Sequence, residues 1–344
     1  MHPDMAALCA VLAFHPAMPA EPFELRFSFP VSARLVAALK LPHIIPQAQI
    51  ITTGEPEPYQ PMRAEVLSYG GGFDSLAAHA LLPEVHLVHQ APMPHQGNHY
   101  FDIVPELMAQ LGSRHSVALD NMRNLFDVWG LPLWVSVYAP SLVLQPAFIL
   151  SGSELTGSYL EGGKRYFPRH RNLWYRVFEA AGVSILPTSF VSEVANSRIA
   201  FRSGKASMAA YCALIKNQDC GACSKCVRRR SLRALNDPQE QVLLDEFKRS
   251  EGVDAFLTKR PLYYGDVFAH ALSRLSRRSW IHDLVDDVLA KQIDTSFHER
   301  YYAQAFDDFA FPPAIRNELQ SALVAHGIEA MTEDDVRRLK TYAQ

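Results

Sequence analysis

The stretch that decides the fold is residues 64–75, Ala-Glu-Val-Leu-Ser-Tyr-Gly-Gly-Gly-Phe-Asp-Ser, in which an apolar segment runs directly into three glycines. Residues 64–69 predict a short buried strand, and Asp74 to Leu82 predict a helix. Glycine removes the side chains between them, so backbone N–H groups can approach a phosphate. The positive end of the helix dipole adds to the attraction. The sequence therefore predicts a strand–loop–helix unit that binds phosphate.

Strand and helix patterns continue to alternate after this unit. Further strands are predicted at Val85–His89, Ser116–Leu119, Phe148–Leu150 and Val183–Leu186, and further helices at His99–Leu111, Leu133–Ala147 and Asn172–Ala181. This alternation favours the α/β class, with a parallel, doubly wound sheet of about five strands over residues 64–200. Such sheets bind ligands at the carboxyl ends of their strands.

The flanking regions differ from this central pattern. Residues 23–29 alternate like a half-buried strand, residues 48–52 suggest another, and the proline-rich residues 54–61 predict a linker. Helices are predicted after Cys226 at Val227–Leu235, Gln239–Ser250, Tyr264–Ser276, Ile281–Ala290, Ala314–His326 and Glu333–Ala343. We therefore expect a small β-rich extension at 1–60, a nucleotide-binding domain at 61–205, a four-cysteine zinc module at 206–235 and a helical C-terminal region at 236–344.

The first helical turn after the glycines carries candidate catalytic side chains. Asp74 can hold Mg²⁺, and the Ser75 hydroxyl can donate to a phosphate. A Walker A loop is excluded because Phe73, not lysine, follows Gly72, and a dinucleotide fingerprint is excluded because Ser75 stands where it needs glycine. A plain glycine turn without a ligand, and a loop that binds nucleotide without catalysis, remain open.

A cysteine cluster forms the second motif. Cys212, Cys220, Cys223 and Cys226 are spaced C-x7-C-x2-C-x2-C. Four thiolates complete the closed tetrahedral shell of a structural zinc ion. An iron–sulfur cluster and four unligated cysteines are the alternatives. Clustered rather than dispersed cysteines also favour a reducing, cytoplasmic location.

Composition bounds the possible partners. The net charge of −3 gives no general electrostatic reason to expect nucleic-acid binding. Only a local basic patch, such as the run at 225–233, keeps a nucleic-acid partner open. The alternative interpretation of this run is a solvated helix face. No window approaches the roughly 18 apolar residues that span a bilayer, so no membrane partner is expected. His2 and Asp4 stand where a signal peptide would be basic, so we expect no signal peptide.

The two motifs together carry a family resemblance. Residues 70–75 match the Ser-Gly-Gly-x-Asp-Ser loop of the N-type ATP pyrophosphatases (PP-loop superfamily) in five of six positions. Gly70 replaces the serine, and Ser68 offers a nearby hydroxyl. With the Cys-Gly-x-Cys-x-x-Cys-x-x-Arg run at 220–229, residues 64–235 resemble the 7-cyano-7-deazaguanine synthase family of queuosine biosynthesis. Residues 166–171 are a loose counterpart of that family's Tyr-Pro-x-x-Arg segment.

The resemblance implies a fold, cofactors and a reaction. The fold would be the sheet of the adenine nucleotide α-hydrolase-like (HUP) proteins, and the cofactors ATP, Mg²⁺ and structural Zn²⁺. The activity would be that of an AMP-forming ligase, which adenylates a deazaguanine-like or other carboxylate, releases pyrophosphate and passes the acyl group to ammonia or an amine. The regions at 1–60 and 236–344 depart from the family and indicate a divergent member with a different or larger substrate. Such relatives occur in phage-defence and natural-product gene clusters.

The resemblance also places further residues near the crevice. Gly152 and Ser153 would lie beside the nucleotide. Four basic residues, for which a solvated loop is the alternative, would meet an anionic substrate: Lys164, Arg165, Arg169 and Arg171.

Two other functions stay open. One is a PP-loop enzyme of the tRNA-thiolation type, and the other is a catalytically inactive nucleotide-binding subunit of a defence or biosynthetic complex. We expect a small-molecule or macromolecular carboxylate as substrate. Protein partners at the C-terminal helices, or a second copy of the chain, are the further partners considered.

Overall fold

The computed structural model describes residues 1–92, 100–120, 134–168, 173–209, 220, 223–247, 249–291 and 294–343. The strands are β1 Phe23–Arg26, β2 Ala48–Ile51, β3 Arg63–Ser68, β4 His86–Pro92, β5 His115–Asp120, β6 Pro146–Ser151 and β7 Ser184–Pro187. The helices before the cysteines are α1 Pro3–Phe14, α2 Ala33–Leu39, α3 Phe73–Leu81, α4 Tyr100–Gln110, α5 Ala139–Leu142, α6 Leu155–Tyr159, α7 Leu173–Ala180 and α8 Glu193–Arg202.

Helices dominate the rest of the described chain. They are α9 Ser224–Asn236, α10 Pro238–Asp245, α11 Glu251–Thr258, α12 Gly265–Leu272, α13 Trp280–Leu284, α14 Asp286–Leu289, α15 Gln304–Asp308, α16 Pro313–Ala325 and α17 Glu333–Thr341. Short 3₁₀ segments lie at His15–Ala17, Trp134–Tyr138, Glu161–Gly163, Ala206–Met208 and Ser296–Glu299. The last helix begins with a capping box, in which Thr332 and Asp335 bond each other's backbone N–H.

A five-stranded parallel sheet forms the centre of the molecule, as predicted. Its strand order is β5-β4-β3-β6-β7, and every neighbouring pair is parallel. The chain moves outward from β3 to β5 and then returns to the other side of β3 as β6. The loops that follow β3 and β6 therefore diverge, and they open a crevice at the carboxyl edge of the sheet.

The central strands are apolar because both of their faces are covered. Val66 of β3 pairs with Ile149 of β6, Leu67 pairs with Leu150, and all four side chains are buried. Consecutive buried apolar residues of this kind are typical of a parallel strand between two helical layers. This packing fixes the positions at which the two crevice loops leave the sheet.

The core has two main parts. The larger cluster joins α1 and α2 to the sheet and to the elements after residue 297, so it crosses the boundary predicted at residue 60. The second cluster lies among α9 to α14 and includes Cys226 and Phe268. The boundaries at 60, 205 and 235 stay predictions. No helix among the described residues is long and apolar enough to cross a membrane.

The structure corrects the prediction of a β-rich N-terminal extension. The segment contains α1 and α2 beside a parallel pair of four-residue strands, β1 and β2. The sequence does not predict its first helix because residues 3–14 are almost uniformly apolar, so they show no polar–apolar period.

The structure also corrects several predicted helices. The helix predicted at Leu133–Ala147 is reduced to a 3₁₀ turn and α5, because β6 already begins at Pro146; residue 133 lies outside the described residues. The helix predicted at Ile281–Ala290 is divided at Val285 into α13 and α14. Helix α8 was missed because it buries polar as well as apolar side chains, Asn196 and Ser197 among them.

Candidate functional site

The glycine loop joins β3 to α3 in the predicted way. Gly71 has a φ of 73°, a left-handed conformation that favours glycine. Gly72 is the N-cap of α3 and supplies no capping side chain, so the first-turn N–H groups have no side-chain acceptor there. The Gly70 N–H donates to Ser75 Oγ over 2.9 Å, which closes the loop on itself. The turn has the form of an anion cradle.

The loop after β6 lies directly against this cradle. A Cβ atom added to Gly152 would lie 2.5 Å from the Ser75 backbone N and 2.7 Å from its Cα. Only glycine allows this approach. The neighbouring Ser153 carbonyl accepts a hydrogen bond from Thr188 Oγ1 over 2.8 Å, which ties the loop to the residue after β7.

A cleft of about 210 Å³ opens between these loops and two helices. Its lining consists of Gly70, Gly72, Phe73, Asp74, Ser75, Gly152, Glu193, Lys225, Arg228 and Arg229. Most of the predicted loop residues therefore meet at one cleft. Ser68, Gly71 and Ser153 do not line it, and the Ser68 hydroxyl donates instead to the Val137 carbonyl over 3.2 Å.

Asp74 is the acidic group of the glycine loop. Its Oδ1 accepts a hydrogen bond from Asn196 Nδ2 over 2.8 Å, so α8 orients the carboxylate. Burial and the nearby Glu193 carboxylate raise the pKa of Asp74, the Asn196 bond and nearby arginines offset part of the shift, and the net pKa is about 6. The carboxylate is thus ionised near neutral pH and less so below pH 6.

A buried ion pair forms part of the cleft lining. Arg228 Nε is 2.8 Å from Glu193 Oε2, and the two side chains are 16% and 6% exposed. Burial alone would lower the pKa of Arg228, but Glu193 holds it above its usual range. The guanidinium also lies 3.9 Å from the Tyr264 ring centroid, and the Tyr264 hydroxyl donates to Glu154 over 3.1 Å. The C-terminal helical region therefore supports this wall of the site.

The basic run at 225–233 is divided between two environments. Lys225, Arg228 and Arg229 line the cleft, and partial desolvation there lowers the pKa of Lys225, with further contributions from Arg229 and Arg228. Arg230 and Arg233 instead bind Glu240, at 2.7 and 2.6 Å. Glu240 therefore pairs with Arg230 and Arg233, whereas Lys225 stays exposed at the edge of the cleft, so a solvated helix face describes only part of this run.

The sequence held a signal for this division. Positions 225, 228 and 229 follow the i, i+3, i+4 spacing that places residues on one face of a helix. Glu193 and Asn196 gave no such signal, because they become functional candidates only through the packing of α8 against α3 and α9.

Three of the described cysteines form a candidate metal centre. The Sγ atoms of Cys220, Cys223 and Cys226 all lie within 4.8 Å of one another, and Cys226 is buried. Three thiols at this separation fit a single thiophilic ion such as zinc. Cys212 lies outside the described residues, so its role as fourth ligand stays a prediction.

The basic residues predicted to meet an anionic substrate do not line the cleft. Lys164 and Arg165 are absent from its lining, and Arg165 pairs with Glu161 over 2.7 Å and forms a β-bridge with Ala343. Arg169 and Arg171 lie outside the described residues. In the described part of the chain, α9 supplies the basic side chains of the cleft.

A family model described as a family of unknown function, DUF6395, matches residues 173–343. No curated protein and no solved structure matches the chain. The family match covers just under half of the chain. It includes α9 and the three described cysteines of the cluster, whereas the glycine loop and Gly152 lie outside it.

Proposed function

We propose that this protein is an ATP-dependent, AMP-forming ligase of the PP-loop type. The observation that carries the proposal is the glycine loop at the point where the strand order reverses, with the uncapped end of α3 facing the cations of α9. Backbone N–H groups and cations that converge on one cleft suit a polyphosphate. The adenine nucleotide α-hydrolase-like fold is part of this proposal.

The proposed reaction has two steps. A carboxylate oxygen of the substrate attacks the α-phosphorus of ATP, the bond to the bridging oxygen of the β-phosphate breaks, and pyrophosphate leaves. Ammonia or an amine then attacks the acyl carbon, the bond to AMP breaks, and the nitrogen loses a proton. The glycine loop would stabilise the charge that develops on the leaving pyrophosphate. Transfer of the γ-phosphoryl group is disfavoured because the loop lacks the lysine that P-loop enzymes use for it.

Two metals accompany the proposal. Asp74 would hold Mg²⁺, which neutralises phosphate charge when it is bound. Cys220, Cys223 and Cys226 would hold a structural zinc ion with Cys212. A closed thiolate shell leaves no coordination position for a substrate, so the zinc would take no part in the reaction.

Thiolation is the weaker alternative. A thiolating enzyme needs a reactive cysteine at the nucleotide, and none of the cysteines in the described ranges lines the cleft. The three described cysteines of the cluster lie close enough together to be taken by one metal ion.

The direct test begins with binding and ends with product analysis. Isothermal titration calorimetry of the full-length protein should show binding of Mg²⁺–pyrophosphate and of Mg²⁺–ATP. With candidate carboxylates and ammonia, ATP labelled at the α- or γ-phosphate should then give AMP and pyrophosphate. ADP as the sole product would overturn the mechanism. ATP binding without turnover on any carboxylate would favour the inactive nucleotide-binding subunit.

A further inference from the structure

Helix α9 connects the cysteine cluster to the cleft. It begins at Ser224, directly after Cys223, and Cys226 lies in its first turn. Lys225 stands between these cysteines in the chain, and Arg229 follows one turn later; both line the cleft. The N-cap and first turn of α9 thus carry two predicted metal ligands and the first of the three cleft cations.

The two walls of the cleft come close at Arg229. A Cβ atom added to Gly72 would lie 3.0 Å from Arg229 Nη2. The glycine that begins α3 therefore leaves room for the guanidinium beside the loop. An anion at this place can accept hydrogen bonds from the backbone N–H groups of the loop on one side and from the Arg229 guanidinium on the other.

The position of α9 depends on what holds the thiols together. The Sγ atoms of Cys220 and Cys226 are 3.7 Å apart, and Cys223 completes the cluster. A metal ion converts these side chains into a single rigid anchor at the beginning of the helix, and metal binding of this kind is coupled to local folding. Without the ion, the anchor and the first turn of α9 lose that constraint.

We propose that Lys225 and Arg229 bind the phosphates of the substrate, and that the metal at the cysteine cluster fixes their positions. Metal binding and pyrophosphate binding then strengthen each other by the same factor, because coupling between two sites is reciprocal. This inference rests on the proposed function, since it requires a polyphosphate in the cleft.

The first experiment measures pyrophosphate affinity with and without the metal. Full-length zinc-loaded protein and chelator-treated protein are titrated with inorganic pyrophosphate in excess Mg²⁺, and circular dichroism checks that the treated protein stays folded. We expect the dissociation constant to rise about tenfold on zinc removal, within the usual range of coupling between sites. Equal affinities for the two folded forms would overturn the inference.

The second experiment measures the reverse effect and needs no separate preparation of metal-free protein. The zinc dissociation constant is determined by competition with a chromogenic chelator, with and without pyrophosphate. Pyrophosphate should tighten zinc binding by the factor found in the first experiment. Because pyrophosphate itself binds zinc, Arg229→Ala supplies the baseline without coupling. An unchanged zinc dissociation constant in the unsubstituted protein, relative to this baseline, would overturn the inference.

A matched pair of variants separates charge from position. Arg229→Ala and Arg230→Ala remove the same side chain from adjacent positions of α9, but Arg230 pairs with Glu240 outside the cleft. Only Arg229→Ala should weaken pyrophosphate binding and abolish its effect on zinc. Equal effects of the two variants would contradict a direct role for Arg229. Failure of the zinc-loaded protein to bind pyrophosphate at all would instead overturn the proposed function.

Discussion

On one side of the cleft, residues 70–75 present backbone groups with few side chains; on the other, α9 presents Lys225, Arg228 and Arg229. The glycine loop is positioned by its own chain, through β3, α3 and the Gly70–Ser75 hydrogen bond. Helix α9 is positioned from outside, by Glu193, Tyr264 and the cysteine cluster. A local sequence motif is therefore enough to define the glycine-loop side of the cleft. The side formed by α9 depends on contacts between residues that are distant in sequence.

The largest effect is expected from a substitution that destabilises the side of the cleft formed by α9. Arg228→Ala leaves Glu193 buried without its partner, and we expect it to lower the free energy of unfolding by about 3–5 kcal/mol. Arg230→Ala is the matched control, because Arg233 still pairs with Glu240 and the loss should be about 1 kcal/mol. Urea unfolding of the two variants measures the difference. Equal losses would show that the Arg228–Glu193 pair is not a support of the site.

The next effect concerns the glycine-loop side and appears in catalysis. Asp74→Asn keeps the size of the side chain but removes the charge that would position Mg²⁺, so AMP formation should fall on the order of 10²-fold or more. The same substitution removes a partly buried charge, so the melting temperature should stay constant or rise. Steady-state product analysis and thermal unfolding provide the two measurements. A parallel loss of activity and stability would indicate a structural role only.

The central sheet and the glycine loop could be predicted from the sequence because their signals are local. Apolar runs of strand length alternate with helices, and three glycines mark the β3–α3 turn. Gly152 was placed beside the loop from the family resemblance, and the 2.5 Å approach to the Ser75 backbone gives a physical reason for a glycine there.

The remaining half of the site depends on pairs that are distant in sequence. Nothing in the sequence near Arg228 indicates that it will form an ion pair with Glu193. The sequence also does not indicate that Arg230 and Arg233 will pair with Glu240 instead of lining the cleft. The family resemblance placed Lys164 and Arg165 near the crevice for their charge, but a β-bridge between Arg165 and Ala343 holds their segment elsewhere. Residue type predicted the chemistry, but only packing decided which basic residues reach the cleft.

A third prediction concerns pH and requires no ligand. The folded protein holds the Asp74 proton up to about pH 6, whereas an unperturbed aspartate releases it near its ordinary pKa of 3.8. The unfolded state therefore binds fewer protons between these values, and stability falls as pH rises. Relative to Asp74→Asn, the free energy of unfolding of the unsubstituted protein should drop by about 1.4 kcal/mol per pH unit there. Urea titrations of both proteins at pH 4, 5 and 6 measure this; an unchanged difference would contradict the raised pKa.

A smaller effect is expected where the loops after β3 and β6 meet. Gly152→Ala places a Cβ against the Ser75 backbone, which cannot move without displacing the loop, so we expect a loss of about 1–3 kcal/mol in unfolding free energy. Pyrophosphate affinity should fall with it. The matched control is Gly70→Ala, in which the added Cβ makes an ordinary contact of 3.4 Å with Ser75 Oγ. Gly204→Ala is unsuitable as a control because Gly204 has a positive φ. Calorimetry should find Gly70→Ala close to the unsubstituted protein, and an equal loss in both variants would remove the argument from close approach.

The smallest effect tests whether the loop relies on its backbone, as the comparison of the two walls requires. Ser75→Ala removes the acceptor of the Gly70 N–H, but Gly70 is exposed and water can replace that acceptor. One neutral hydrogen bond is worth about 1 kcal/mol, so pyrophosphate affinity should fall only about fivefold. Gly70→Ser, which introduces the hydroxyl found in PP-loop proteins, has room at Cβ and should leave affinity within about twofold. A loss for Ser75→Ala as large as that for Arg229→Ala would mean that side chains, not backbone groups, do the binding on both walls.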